Sequence, residues 1–308
     1  MILCCGEALI DMIPEPTKSG KQGFVPHAGG AIYNTAIALG RLGAPVGMLT
    51  GLSTDIFGQQ LAAGLEASQV HRAHVVTSAR PTTLAFVQLE NGQANYSFYD
   101  ENTAGRMLSP EELPVLDGDI SALYFGGISL ACEPGADAYA SLLAKSAEGR
   151  VVMVDPNIRT GFIANEPRYR DRLDQMLRSA DIIKFSDEDL NWFVQKEGSL
   201  GDKVASILEL GPSIVILTEG EKGATAFFQD GQKVHVPSEI VEVVDTVGAG
   251  DTFNAGVLAM LSRKDLLHKE KMSLLGPTDI EEALRFGAKV AAITVSRSGA
   301  NPPWASEL

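Results

Sequence analysis

Apolar positions along this chain follow two alternating patterns. Short, nearly uninterrupted apolar runs predict strands at Ile2–Cys5, Val46–Gly51, Ala122–Phe125, Val151–Asp155, Ile182–Phe185 and Ile214–Thr218. Between them, apolar residues recur at helical spacing and predict helices over Ala31–Leu42, Phe57–Ala67, Asp137–Ala147, Arg168–Ser179, Thr252–Ser262 and Ile280–Val295. The last of these opens with Thr278 and carries Glu281 three residues on, the spacing of a capping box. Strand and helix alternating over most of the length imply an α/β fold: a doubly wound, mostly parallel sheet with helices on both faces.

Two stretches break the alternation. Residues 12–28 are rich in Pro, Gly and Lys, with little helical pattern. Residues 82–100 read as strands Thr83–Glu90 and Ala94–Tyr99 turned by Asn91-Gly92, a strong hairpin signal. Both stretches are expected to form a small β-lid on a single α/β domain spanning 1–308. No internal repeat or charge run marks a second domain.

Composition narrows the function. With 45% hydrophobic residues in 308, the chain can bury one large α/β core. Its 25 basic against 39 acidic residues give a net charge of −14, which disfavours nucleic acid and anionic membrane surfaces as partners. A local nest of amides can still hold an anionic ligand, because charges beyond about 8 Å are screened at physiological salt. Cys4, Cys5 and Cys132 suit neither a disulfide framework nor a four-residue metal site. No apolar run reaches the roughly 18 residues of a membrane helix, and no signal-peptide pattern opens the chain. The expected location is the cytoplasm.

The sharpest chemical signal is Asp245-Thr246-Val247-Gly248-Ala249-Gly250-Asp251-Thr252-Phe253, placed at the opening of a predicted helix. Glycines let a backbone approach a ligand closely, and the unpaired amides of a helix N-terminus favour an anion. A carboxylate there repels phosphate but is well placed as a base: Asp251 could take a hydroxyl proton while the amides hold a phosphoryl group. Read from the residues alone, a glycine turn with Asp251 as an ordinary helix cap is equally open. The run is neither a G-x-x-x-x-G-K-[ST] loop nor a G-x-G-x-x-G fingerprint, and no such fingerprint follows the first strand, as a dinucleotide-binding dehydrogenase would require.

This run resembles the C-terminal signature of the ribokinase-like (PfkB) carbohydrate kinases. Gly29-Gly30-Ala31-Ile32-Tyr33-Asn34-Thr35-Ala36, followed by Gly40 and Gly51, resembles their N-terminal signature. The likeness runs from Gly6-Glu7-Ala8-Leu9-Ile10-Asp11 to Arg297-Ser298-Gly299-Ala300. It implies a ribokinase-like fold and transfer of the γ-phosphoryl group of ATP to a sugar hydroxyl. It makes Asp251 the base and the amides of Gly248, Ala249 and Gly250 the anion hole. Asp11, Gly29, Gly30, Asn34, Phe98 and Arg159 would bind sugar, and Thr218, Gly220, Gly223 and Ala249 would lie beside ATP. Intact Asp251 and Gly248–Gly250 speak against a catalytically silent relative.

Ser186-Asp187-Glu188-Asp189 stands where many members carry Asn-x-x-Glu, a pair linked to Mg²⁺ through water. Asp189 could serve in that role, but a Ser cap with acids in the first helical turn needs no metal. The resemblance also places a monovalent cation, K⁺, near Asp245 and Val247. Asp155-Pro156-Asn157-Ile158-Arg159 and Phe98-Tyr99-Asp100 look most like the fructokinases, which implies fructose as acceptor and fructose 6-phosphate as product. The alternatives are a 2-keto-3-deoxygluconate kinase, then a ribokinase or nucleoside kinase. A lid of this kind can pair with its twin across a two-fold axis, so a homodimer is expected through it.

Overall fold

Uninterrupted apolar runs suit strands that bury both faces. The computed structural model describes residues 1–90, 93–116 and 118–308. Its first strand, β1 (Ile2–Cys5), sends Ile2 and Cys4 into one helix layer and Leu3 and Cys5 into the other. The chain then forms β2 (Leu9–Pro16), β3 (Gln22–Gly29), α1 (Ala31–Arg41), β4 (Val46–Leu49), β5 (Gly51–Ser53), α2 (Ile56–Ala67) and β6 (Val76–Ser78). Next come β7 (Leu84–Glu90), β8 (Gln93–Tyr99), β9 (Ala122–Gly126), α3 (Gly135–Ser146), β10 (Val151–Asp155) and α4 (Glu166–Arg178). Then follow β11 (Ile182–Ser186), α5 (Asp187–Phe193), α6 (Leu200–Leu208), β12 (Ile214–Thr218), β13 (Ala224–Phe228) and β14 (Lys233–Val236). The chain closes with α7 (Ala249–Arg263) and α8 (Pro277–Val295).

The main sheet runs β14-β13-β12-β11-β10-β9-β1-β4, parallel from β4 to β12, with β13 and β14 antiparallel at one edge. Helices α1, α2, α7 and α8 pack on one face, and α3 to α6 on the other. This is the doubly wound sheet expected. From β1 the chain goes first to β4 on one side and later to β9 on the other, so a topological switch point lies at the C-terminal ends of β1 and β9. Ligands of open α/β sheets bind in the crevice at such a point.

The small sheet grows from there. It runs β3-β2-β7-β8, and β2 begins four residues after β1 ends. Its register sets His27, Asp11, Ala85 and Phe98 in one row across the strands. The Asn91-Gly92 turn lies outside the described residues, although Glu90 and Gln93 are in register on either side of it.

Three local expectations change. The run Val46–Gly51 divides at Thr50, so β4 stays in the main sheet while β5 pairs with β6. The capping box at Thr278 does not form. Gly276 is the cap residue of α8 and makes no side-chain cap bond. Pro277 explains this: its fixed φ and missing N–H suit the first helical position, which places Thr278 inside the helix. Finally, α7 begins at Ala249, three residues before the apolar period suggests.

Candidate active site

The switch point opens into a cavity of about 440 Å³. Glu7 lines it from the turn after β1, Gly127 from the turn after β9, Asn157 and Arg159 from the loop after β10, and Lys184 from β11. The first turns of α1 and α7 form another wall, and Leu9, Asp11 and Phe98 cover it from the small sheet. Phe98 meets Phe162 of the main body edge to face at 4.2 Å between centroids, which ties the small sheet to the rim.

Residues Thr246 to Asp251 all line the cavity. Gly248 has a left-handed backbone, φ 77°, and a Cβ there would come within 2.7 Å of Ala300 Cβ, so both torsion and space require glycine. No side chain caps α7. The amide of Ala249, expected in the anion hole, instead donates to Thr246 O at 3.2 Å. The amides of Gly250 and Asp251 in the first turn have no carbonyl one turn back within the helix, and the helix dipole adds to their pull on an anion.

Asp251 is buried on that turn, and Asn34 Nδ2 donates to its Oδ2 at 2.9 Å. Burial pushes its carboxyl up to about 7; the Asn34 bond and the Lys184 ammonium pull it down, while Asp155 and Glu7 push it further up. A carboxylate held near neutrality can accept a proton during reaction. Asp11, over the same cavity, is pushed by burial to about 6.

The glycine pair before α1 answers to this geometry. A Cβ at Gly29 would collide with the Asp11 carboxylate, and Gly30 holds φ 103° directly over the Glu7 backbone. Glu7 fixes the floor: its Oε1 accepts from Ala31 N at 2.9 Å and its Oε2 from Ser129 N at 3.2 Å. One carboxylate therefore joins the start of α1 to the turn after β9.

Of the residues singled out in the sequence, Asp11, Gly30, Phe98, Arg159, Gly248, Ala249, Gly250 and Asp251 line the cavity, as does Val247. Gly29 stands just behind Asp11. Asn34 is turned onto Asp251 rather than onto the cavity wall. Thr218, Gly220 and Gly223 lie beyond the cavity at the end of β12, the strand next to β11. Ser186 caps α5 by accepting from Asp189 N at 3.0 Å, and buried Asp189 accepts from Ile158 N at 3.0 Å. Asp245 accepts from Val247 N at 3.0 Å and Gly299 N at 2.9 Å, joining the two loops expected around K⁺.

Sequence reading missed Glu7, Asp155, Lys184 and Asn254 as a group. Lys184 Nζ lies 3.1 Å from Asp155 Oδ2, and Asn254 Nδ2 donates to the same oxygen at 2.7 Å and to Tyr124 OH at 2.9 Å. All are buried. The available signal was a lysine in an otherwise apolar strand and an asparagine one turn after Asp251.

Residues 1–307 match the model of the pfkB family carbohydrate kinases. The chain belongs to that family. It is 51% identical over 290 residues to a fructokinase from Rhizobium leguminosarum bv. trifolii, covering 93% of this chain and 86% of that one. Among solved structures it resembles a fructokinase from Xylella fastidiosa with bound ATP, at TM-score 0.87 and 28% identity over 97% of this chain and 93% of the other. A fructokinase from Vibrio cholerae O395 with fructose, ADP and calcium aligns at TM-score 0.84 and 25% identity, covering 97% and 94%.

Proposed function

We propose that this carbohydrate kinase transfers the γ-phosphoryl group of ATP to free fructose and releases fructose 6-phosphate. The observation that carries the reading is Asp251, a buried carboxyl raised to about 7 on the same turn as the helix-terminal amides, facing one cavity. Asp251 takes the proton of the attacking hydroxyl while the turn at Gly248–Gly250 receives the phosphoryl group. The 51% identical relative is a fructokinase, which supports fructose as acceptor. Asp11 and the Gly29–Gly30 backbone would pair with hydroxyls, which they suit better than a sugar that already bears phosphate. Arg159 stands at the mouth, exposed and with no ion pair among the described residues.

ATP would extend from the phosphoryl turn toward Thr218, Gly220 and Gly223. Mg²⁺ screens the charge of the polyphosphate when bound. Asp189, with one oxygen already held by a backbone amide, suits a water of its shell better than direct ligation. K⁺ would sit beside the Asp245–Val247 loop, whose carbonyls are the donors it needs. An ATP-consuming enzyme with three free, buried cysteines fits the reducing cytoplasm.

Coupled ADP release against fructose, 2-keto-3-deoxygluconate, ribose and fructose phosphates tests the acceptor. Fructose should give the highest kcat/KM, and Arg159→Ala should weaken its turnover. A keto acid preferred over fructose, with Arg159→Ala abolishing its use alone, would remove fructose while leaving the sugar-kinase chemistry.

A further inference from the structure

A buried Lys–Asp pair is an expensive way to stabilise a fold, because taking both charges from water offsets most of their attraction. Lys184, which lines the cavity, nevertheless pairs with Asp155, and both residues are buried. Lysine has three N–H donors. Among the described residues Lys184 Nζ has one hydrogen-bond partner, Asp155 Oδ2, which leaves two donors for a ligand. It also lies against the phosphoryl turn: a Cβ at Gly250 would be 3.6 Å from Nζ. Lys184 and Arg159 are the cationic side chains on the cavity wall among the described residues. Arg159 is exposed at the rim, whereas Lys184 is fixed. Asp155 is fixed in turn by Asn254, and its other oxygen, buried without a partner, adds negative potential at the ammonium.

We propose that Lys184 is a catalytic residue, a fixed ammonium that contacts the γ-phosphoryl group during transfer, with Asp155 and Asn254 positioning it. This rests on the reading of Gly248–Gly250 as the phosphoryl turn. In the step it serves, the sugar hydroxyl gives its proton to Asp251 and its oxygen bonds to the γ-phosphorus. The bond from that phosphorus to the β–γ bridging oxygen breaks, and ADP leaves with the electron pair. Lys184 neutralises charge on the moving group beside the turn at Gly250, in a cavity that holds its ammonium fixed. A lysine suits this task because its compact charge binds phosphate as a point, without the fixed fork of arginine.

Lys184→Met alone strands the Asp155 charge, so the deciding protein is the double variant Lys184→Met/Asp155→Asn, with Asp155→Asn as control. The double variant should melt within a few degrees of wild type, and its kcat should fall about 10²–10³-fold. Calorimetric titration should show AMP-PNP bound about tenfold more weakly and ADP unchanged. Asp155→Asn, which keeps the ammonium, should bind AMP-PNP within about threefold of wild type. A double variant with near wild-type kcat, or with equal loss for AMP-PNP and ADP, overturns the proposal. A wild-type protein that ignores fructose would tell against the acceptor alone, because the nucleotide titrations need no sugar.

Discussion

On the proposed reading, catalysis turns on one carboxyl, that of Asp251. Asn34 donates to one of its oxygens, and Asp251 itself lines the cavity. Asp251→Asn keeps the shape and removes the proposed base, so kcat should fall by about 10²–10⁴-fold with nucleotide affinity retained. Turnover near wild type would remove Asp251 from that role. The pH dependence has a definite sign. The base must be deprotonated, so kcat/KM of the wild type should rise with pH and level off above about 7. Stability runs the other way. A carboxyl at about 7 in the folded state, against about 3.9 when unfolded, binds more protons when folded across that window. Its contribution is therefore lost as pH rises from about 4 to 7. Asp251→Asn should accordingly melt higher than wild type at pH 8, and an equal or lower melting temperature would contradict the buried-charge account.

At the scale of elements, helix ends decide how the small sheet is anchored. Asp55 caps α2 by accepting from the amides of Phe57 and Gly58. It also accepts from Thr82 N at 2.9 Å and Thr82 Oγ1 at 2.6 Å, just before β7. Burial pushes its carboxyl up, but these bonds outweigh it and hold the group below the usual range. Asp55→Ala should cost about 1–2 kcal/mol of stability at neutral pH. A depressed folded-state carboxyl contributes above its unfolded pKa and loses that contribution as pH falls through the folded one. The difference between variant and wild type should therefore shrink in acid. Thr278→Ala, at a position that makes no cap bond, should stay within about 0.5 kcal/mol of wild type. Urea melts of both variants check the pair, and a larger loss at Thr278 than at Asp55 would reverse the capping assignment.

For the whole molecule, the small sheet presents two faces with different tasks. Asp11 and Phe98 face the cavity, while Phe24, Phe86 and Tyr99 stack edge to face in contacts of 5.0 and 5.4 Å. Phe24 is 42% and Tyr99 63% exposed. Closure of this sheet over bound sugar would exclude water and limit wasteful ATP hydrolysis. Fructose should then protect the amides of β7 and β8 from hydrogen exchange more than ATP alone does, and equal protection by either ligand would argue for a fixed sheet. The homodimer expected from the sequence would pair this exposed aromatic face with its twin across a two-fold axis. Sedimentation should give twice the 32.7 kDa chain mass, and Phe24→Asp should halve it. A monomeric wild type removes the dimer.

The sequence by itself determined the layered α/β fold, because strands buried on both faces must be written as unbroken apolar runs and amphipathic helices as spaced ones. It also marked the turn at Gly248–Gly250 and Asp251, since a left-handed torsion and a close backbone approach leave few residues free to occupy them. Short one-sided strands such as β13 and β14 gave too little period to read. Only the tertiary structure decided that Asn34 meets Asp251 across 217 positions, and that Lys184, Asp155 and Asn254 converge beside the Gly248–Gly250 turn. These pairings depend on strand order and helix placement, which bring together residues whose spacing along the chain carries no period. A lone lysine in an apolar strand acquires its meaning from the neighbour that the fold supplies.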